Sequence, residues 1–424
     1  MAKSIKVGML GMGTVGSGVV SEFLRNKPED ISLETVVVRD INKKRTPKFD
    51  NLSVDVNDVL ENPGIDIVVE LMGGYYPALD YIKRAIDNKK HVVTANKAVI
   101  ADYGPELFAA AEKNKVNIGF EASVAGGIPI INLLLDQFKS AQIQSITGIL
   151  NGTTNFILTN MSRGMHYAQA LELAQDKGFA EQDPSFDVDG KDAAQKISIL
   201  ASLAYGTWIY PKDVYCEGIS RITPIDIDYA RELGYVIKLL AIAKKTDNAI
   251  DIRIHPAMVA KEHRLAKIDD EFNALFIRGD PFDEYFNAGR GAGMGPTAFS
   301  VYSDIVKLAD MKRHETAKPI HFNNDKAILA DQDEMFTEGY LRLYLEHVPG
   351  TFLSLLDIIS RKYKWNIKDS IQRKEHGIVE KGVKSLPDII THEPMKYGVI
   401  KDTLADIHDL PHASDPFYMR IFKE

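Results

Sequence analysis

Ile5-Lys6-Val7-Gly8-Met9-Leu10-Gly11-Met12-Gly13-Thr14-Val15-Gly16 is an apolar run that ends in a G-x-G-x-x-G. Behind it Val15, Val19 and Phe23 recur at a spacing of four, the period of one helical face. Strand, glycine turn and helix in immediate succession are the context a dinucleotide fingerprint requires. Gly11 permits the tight turn, Gly13 lets backbone approach a pyrophosphate, and Gly16 allows helix and strand to pack closely. The N–H groups of Thr14 and Val15 then stand at the positive end of a helix dipole, where an anion binds readily. The reading is the first unit of a doubly wound, parallel α/β sheet of Rossmann type.

The same rhythm continues. A strand over 33–38 ends in Arg39-Asp40, with Lys43, Lys44 and Arg45 close behind. An acid at this strand end would hold a ribose 2′-hydroxyl, whereas arginine accommodates a 2′-phosphate. The cluster of cations, Arg39 and Lys43 first among them, tips the balance to NADP(H), because a phosphate dianion takes several cations. The residues accommodate NAD(H) as well. A strand over 66–71 runs into Met72-Gly73-Gly74, where backbone at Gly73 could border the cofactor. A helix over 77–88 leads to a strand over 91–94 and then to Ala95-Asn96-Lys97; the next helix is expected at about 103–114, and the next strand at 117–121. Lys97 stands just past a strand's C-terminal end, where open parallel sheets place their ligands.

The richest chemistry lies in Gly178-Phe179-Ala180-Glu181-Gln182-Asp183-Pro184-Ser185-Phe186-Asp187-Val188-Asp189-Gly190-Lys191-Asp192-Ala193-Ala194-Gln195-Lys196. Five carboxylates occupy a loop and the first turn of a helix, and a lysine follows. Asp192 and Lys196 are four apart and share a helical face. Ala193, Ile197, Leu200, Ala201 and Ala204 form a neighbouring apolar stripe. A lysine beside that stripe could be partly dried and made fit for use as a proton donor. The acids could hold a substrate ammonium; the bland alternative is a solvated helix start, since Asp and Glu favour the first turn.

Glu121-Ala122-Ser123-Val124-Ala125-Gly126-Gly127-Ile128-Pro129 reads as a glycine-rich turn opening a helix, able to bind an anion or to expose carbonyls to a small cation, with Glu121 supplying charge. A strand over 142–150 precedes Asn151, a helix cap with polar groups. Helices over 166–177 and 189–205, a helix over 225–246 and a strand over 251–260 complete a mixed middle region. Gly289 to Ala298 is a second glycine-rich loop, opening a helix over about 297–312. After a polar segment at 318–335 the order is strand (339–347), helix (351–363), strand (366–372), charged turn, strand (385–391), helix (394–406), strand (417–422). That βαββαβ order marks a small C-terminal domain. The expected division is a dinucleotide-binding domain at 1–130 with a return segment at about 296–320, an α+β catalytic and dimerisation domain at 131–295, and the tail at 337–424.

Composition narrows the classes. Apolar residues at 45% and charged at 26% are ordinary for a globular protein. A net charge of −8 and a pI near 5.8 give no support to nucleic-acid binding. No apolar run approaches transmembrane length, and the N-terminus runs directly into the first strand without a signal-peptide apolar region. Cys216 is the single cysteine, so there is no intramolecular disulfide, and a reducing cytoplasm is the expected location.

Taken together, the motifs resemble homoserine dehydrogenase: GMGTVG at 11–16, ELMGG at 70–74, TANKAVIADYG at 94–104, EASVAGGIPII at 121–131, GILNGTTNFILTNM at 148–161, GFAEQDPSFDVDGKDAAQKISIL at 178–200, EGI at 217–219 and GRGAGMGPTA at 289–298. The block at 148–200 is specific to that family, and the tail resembles an ACT regulatory domain. The resemblance implies NAD(P)-dependent interconversion of aspartate 4-semialdehyde and homoserine, a step toward threonine and methionine. It implies that Lys196 is the proton donor, that Lys97 contacts cofactor and substrate, and that Glu181 and Asp192 bind substrate, with Asp187 nearby holding the ammonium or orienting the lysine. It implies a sodium site of Glu121 with the carbonyls of Val124, Gly126 and Ile128, and cofactor contacts at Gly178 and Gly291. An ACT-like tail implies a homodimer or homotetramer and threonine as effector. Two positions depart from the family pattern: Lys191 replaces an apolar residue, and Gly293-Met294-Gly295-Pro296 varies the second glycine loop. A covalent thioester route would need an activated thiol, and Cys216 has no glycine turn or base beside it in sequence. A non-catalytic amino-acid sensor would have no need to keep Lys97, Glu181, Asp192 and Lys196 together.

Overall fold

The computed structural model describes residues 4–323, 325–373, 376–380, 383–414 and 416–423; part of the charged turn expected after residue 372 (Lys374, Glu375, Lys381 and Gly382) lies outside them. The chain divides into two compact units, one of Met1–Ile146, Asp192–Val214 and Phe272–Ala327, the other of Thr147–Lys191, Tyr215–Glu271 and Ile328–Glu424.

In the first unit a six-stranded sheet is built from β1 (Ile5–Leu10), β2 (Ile31–Val37), β3 (Leu52–Ser53), β4 (Ile67–Glu70), β5 (His91–Thr94) and β6 (Ile118–Gly119). Its order is β3-β2-β1-β4-β5-β6, and every pairing is parallel. This is the doubly wound order, with its switch point between β1 and β4. The central strands β4 and β5 are buried along their whole length, which is why Ile67-Val68-Val69 and Val92-Val93 read as apolar runs rather than alternating ones. Helices α1 (Thr14–Asn26), α2 (Asn57–Leu60), α3 (Ala78–Asp87) and α4 (Lys97–Asn114) connect them. The helix Met294–Arg313 packs Ala298, Val301, Ile305 and Leu308 into the same core as Val19, Val20 and Phe23 of α1. The hairpin Phe272–Asp280 and Asp283–Arg290, which leads into that helix, is not signalled by the sequence pattern.

Helix α4 begins six residues earlier than the periodicity suggests. Gly104-Pro105 looks like a break, since Pro105 cannot donate to the Ala101 carbonyl one turn back. That carbonyl is satisfied from outside the helix: Trp208 Nε1–H donates to it at 3.1 Å. A Cβ on Gly104 would lie 2.2 Å from the Trp208 ring, so the glycine is what lets the indole reach the vacant acceptor.

In the second unit the segment expected as one helix over 225–246 is a helix, Pro224–Glu232, followed by a strand, Tyr235–Lys245. Gly234 at φ +86° lies between them. The run Val236 to Ala243 is almost wholly apolar, and an apolar run of that kind does not distinguish a buried strand from a buried helix. The strand pairs antiparallel with Ile250–Ala260, Tyr235 opposite Ala260. The tail follows the expected order: strand Phe336–Glu346, helix Thr351–Leu356 continuing over Asp357–Lys362, strand Ile367–Gln372, strand Val383–Lys396, helix Tyr397–His408 and strand Phe417–Ile421, with a short extra strand at Ile378–Glu380. The last strand pairs antiparallel with Phe336–Glu346 and parallel with Ile250–Ala260, so tail and middle strands share one sheet. The tail has its own apolar core of Leu341, Leu343, Leu355, Ile359, Trp365 and Ile400.

His91 at the start of β5 ties folding to pH. Its Nδ1 accepts from the Asn117 N–H at 3.1 Å, which requires a lone pair on that nitrogen. Burial, reinforced by the charge of Lys312 and opposed by Asp66, pushes the imidazole down to about 4 from its ordinary 6.5. A depressed pKa gives stability that is complete above 6.5 and is lost as pH falls through about 4. The urea midpoint should therefore drop across that window, and His91→Gln should flatten that part of the curve. An identical slope in the variant would show that His91 is not its source.

Candidate active site

The glycine turn fits a pyrophosphate. Gly11 has φ +100°, and a Cβ there would meet the Leu71 carbonyl oxygen at 2.6 Å. A Cβ on Gly16 would meet the Gly11 carbonyl oxygen at 2.4 Å. Beside Gly13, by contrast, nothing lies within 4 Å of the Cβ position, and the first turn of α1 has no side-chain cap. Open space above uncapped N–H groups is what a phosphate group occupies. Beyond the end of β2, Arg39, Asp40, Lys43 and Lys44 are exposed. Arg45 is turned inward instead, its Nη1 donating to the carbonyls of Asp40 at 2.8 Å and Lys43 at 2.9 Å, so it holds the loop while the other cations remain exposed.

At the C-terminal ends of β4 and β5 a buried polar chain fixes two loops. Glu70, fully buried, accepts from the Met72 N–H at 2.6 Å and from Thr94 Oγ1 at 2.7 Å. Thr94 Oγ1 accepts from the Asn96 N–H at 3.0 Å. Asn96 caps α4 by accepting from the Val99 N–H at 3.3 Å, and donates Nδ2–H to the Gly74 carbonyl at 2.7 Å. The Gly73-Gly74 loop and the first residue of α4 are thus pinned to each other. That first residue is Lys97. Glu70, Thr94 and Asn96 were not singled out by the sequence reading; the signal for Asn96 was its amide standing immediately before a helix.

Lys97 meets the acidic helix directly. Its Nζ lies 3.3 Å from Asp192 Oδ1, while Lys196 Nζ lies 2.7 Å from Asp192 Oδ2, one helical turn on. Asp192 is 6% exposed, Lys196 12% and Lys97 35%. The helix Lys191–Tyr205 buries Asp192, Gln195, Ser198 and Ser202 as well as its apolar stripe, so its start is not a solvated surface. One dry carboxylate thus touches two ammonium groups, and Lys97 faces partly outward, so positive charge can be set against an oxygen that gains negative charge.

The other acids belong to the second unit. Asp187 lies on the short helix Ser185–Val188 and accepts from Asn151 Nδ2 at 2.7 Å. Asn151 also caps the helix Gly152–Ser162 through its Oδ1, 2.8 Å from the Thr154 N–H. Glu181 is exposed in the loop that follows Gly178, and Lys191 is exposed, 3.5 Å from Asp189.

Back in the first unit, the Glu121 carboxylate is taken up by three backbone N–H groups, those of Ile130 and Ile131 at 2.6 and 2.9 Å and of Asn132 at 2.7 Å. It caps the helical segment that follows. Beside it Asp304, pushed up to about 7 chiefly by burial, accepts from the Glu121 N–H at 2.8 Å. The Gly126 carbonyl accepts from Ser300 Oγ at 2.6 Å, and Gly291 lies against the Asn273 side chain. Among the described residues no group of three or more His, Cys, Asp or Glu side chains could hold a metal ion. No helix among them is long and apolar enough to cross a membrane.

Comparison with known proteins places the chain in a family. The family model for homoserine dehydrogenase matches residues 129–306, and that for the homoserine dehydrogenase NAD-binding domain matches residues 11–121. A homoserine dehydrogenase of Synechocystis sp. is 43% identical over 370 residues, covering 82% of this chain and 84% of its own. The crystal structure of a homoserine dehydrogenase from Thiobacillus denitrificans superposes with a TM-score of 0.91 at 35% identity, covering 99% of both chains. A hyperthermophilic archaeal homoserine dehydrogenase, solved in complex with NADPH, has a TM-score of 0.62 at 27% identity and covers 73% of this chain and 98% of its own. Fold and matches together define a dinucleotide-binding oxidoreductase. The chain belongs to the homoserine dehydrogenase family.

The Asn96 links give a test that separates stability from positioning. Asn96→Ala should cost about 0.5–2 kcal/mol through the lost cap. Asn96→Asp restores the cap but sets a carboxylate oxygen against the Gly74 carbonyl. It should recover most of the stability while KM for the nicotinamide cofactor stays raised. Recovery of both together would reduce Asn96 to a helix cap.

Proposed function

We propose that the chain reduces aspartate 4-semialdehyde to homoserine with NADPH, with Lys196 as the proton donor. The observation that carries this is Asp192, buried and in contact with both Lys97 and Lys196. The cofactor, when bound, supplies the hydride; Gly11, Gly13, Thr14, Val15 and Gly16 would hold its pyrophosphate, and Gly73, Gly178 and Gly291 would border it. As negative charge grows on the aldehyde oxygen, Lys196 stabilises it and delivers the proton, and Lys97 adds a second positive charge. Asp192 keeps the two ammonium groups from repelling each other apart. Glu181 and Asp192 would bind the substrate, with Asp187 holding its ammonium group or orienting the lysine, as the family resemblance implies. Arg39, Lys43 and Lys44 receive the 2′-phosphate of NADPH, a reading supported by the NADPH bound to the archaeal relative. Sodium would sit on the carbonyls of Val124, Gly126 and Ile128. Oxygen donors suit such a hard cation, and the Glu121 carboxylate, already bonded to backbone, would contribute charge to that site.

Absorbance at 340 nm with aspartate semialdehyde tests the reaction. Oxidation should be faster with NADPH than with NADH, and Lys196→Ala should lose about 10²–10⁴ in kcat with cofactor binding intact. Undiminished turnover in the variant would remove Lys196 from the mechanism.

The tail is proposed to act as an ACT-like module that pairs copies of the chain and binds threonine as a feedback inhibitor, in a cytoplasmic homo-oligomer. The βαββαβ order with its own apolar core supports this. Added threonine should lower turnover and raise the melting temperature. No change in either would leave the tail a pairing module alone.

A further inference from the structure

The second unit contains a cavity of about 120 Å³ whose polar wall includes Arg253, His255, Thr337, Glu338, Arg420 and Lys423. Arg253, His255 and Ala257 alternate onto one face of their strand, and Arg420 is paired with Ala257 on the neighbouring parallel strand. Two arginines and a histidine are thereby gathered on one side of the sheet.

Their hydrogen bonds are incomplete. Arg420, 2% exposed, donates from Nη1 to Glu217 Oε1 at 2.6 Å and lies over the rings of Tyr397, at 4.1 Å, and Tyr215, at 5.3 Å. Its Nε and Nη2 meet no acceptor among the described residues. Arg253 has Nη2 at 3.5 Å from Asp251 Oδ2, and its Nε likewise meets no acceptor. His255, 1% exposed, has Nδ1 at 2.9 Å from the Pro256 carbonyl. A carbonyl only accepts, so Nδ1 carries the proton. Burial, with the charges of Arg420 and Arg253, holds the ring neutral. Nε2 therefore offers a lone pair that no donor fills. Glu338, the carboxylate on this wall, is already paired with Lys368 at 2.8 Å and with Lys423. Buried side chains thus present three unmatched donors and one unmatched acceptor beside a space of about four water volumes.

We propose that this cavity binds a small oxyanion bearing one hydroxyl, the chemistry shared by monohydrogen phosphate and a short hydroxycarboxylate. Its charged oxygens accept from Arg253 and Arg420, and its hydroxyl donates to His255 Nε2. The space holds a group of about five heavy atoms, and the exposed Lys423 stands at the rim.

Calorimetric titration of the full chain with phosphate, lactate and sulfate at fixed ionic strength tests this. Phosphate or lactate should bind one per chain, and whichever binds tighter identifies the source. Sulfate, which has no proton to donate at neutral pH, should bind at least about tenfold more weakly. Arg253→Met should lower affinity by on the order of tenfold or more, and His255→Leu should abolish the preference over sulfate. Should either buried variant fail to fold, Lys423→Ala at the rim should fold normally and bind a few-fold more weakly. No binding of any anion at tens of millimolar, equal binding of sulfate and phosphate, or affinity unchanged in Arg253→Met would each overturn the site. The cavity would then hold only water beside a structural arginine stack.

Discussion

A buried carboxylate is tolerated only when cations or donors compensate its lost hydration. Asp192 meets that condition through Lys97 and Lys196, and much of the first unit is arranged around it. Lys196 comes at no extra expense of geometry, because it sits one turn along the same helix. Lys97 is distant in sequence and reaches Asp192 as the first residue of α4. Its position depends on Asn96 capping that helix, on Thr94 receiving the Asn96 N–H, and on Glu70 receiving Thr94. A second buried acid, Glu70, thus organises the strand ends that present the first lysine. The α4 helix itself holds through Pro105 because Trp208, from the segment directly after the Asp192 helix, donates to the carbonyl that proline leaves vacant.

The first unit repeatedly uses buried acids to close backbone rather than to face solvent. Glu70 holds the Met72 N–H, Glu121 holds three N–H groups, and Asp304 holds the Glu121 N–H. Where the acid is ionised, such a bond is charge-assisted, and in a dry setting charge-assisted bonds are short and strong. The consequence is rigidity of the turns bordering the proposed cofactor site. A hydride donor and acceptor need to be held within a few tenths of an ångström, and turns closed by carboxylates give way less than turns closed by solvent.

Much of this was legible in the sequence because the signals were local. Residues 5–16 specify strand, turn and helix within twelve positions, and the Asp192–Lys196 pair follows from a spacing of four. What escaped was decided by partners that the residue pattern does not reveal. Pro105 reads as a helix break until Trp208 is placed beside Ala101. The run after Gly234 is apolar enough to be helix or strand, and only pairing with Ile250–Ala260 makes it a strand. Arg45 reads as one more phosphate-binding cation, yet it bonds its own loop. Glu121 reads as charge for a cation, yet three N–H groups from the following segment claim its oxygens. For Pro105 and the run after Gly234 the deciding partner is distant in the chain; for Arg45 and Glu121 it is nearby backbone whose bonds the residue pattern does not show.

The strand Phe417–Ile421 bears on how the tail can act. It pairs on one side with the first tail strand and on the other with Ile250–Ala260, so a shift of the tail cannot be absorbed by a flexible joint along that edge. Arg420 on this strand reaches Glu217, which stands directly after Tyr215–Cys216, the pair of residues bridged to Ile250–Ala260. Tyr397, the first residue of the last tail helix, stacks on the same guanidinium. Sheet, ion pair and ring stack therefore join tail and middle segment at one place. In the proposed reaction, an effector on the tail would influence the second unit through this joint, by displacing strands that are hydrogen-bonded to each other. Such a coupling is carried by packed, bonded elements with few alternative arrangements, which favours a discrete response over a graded one.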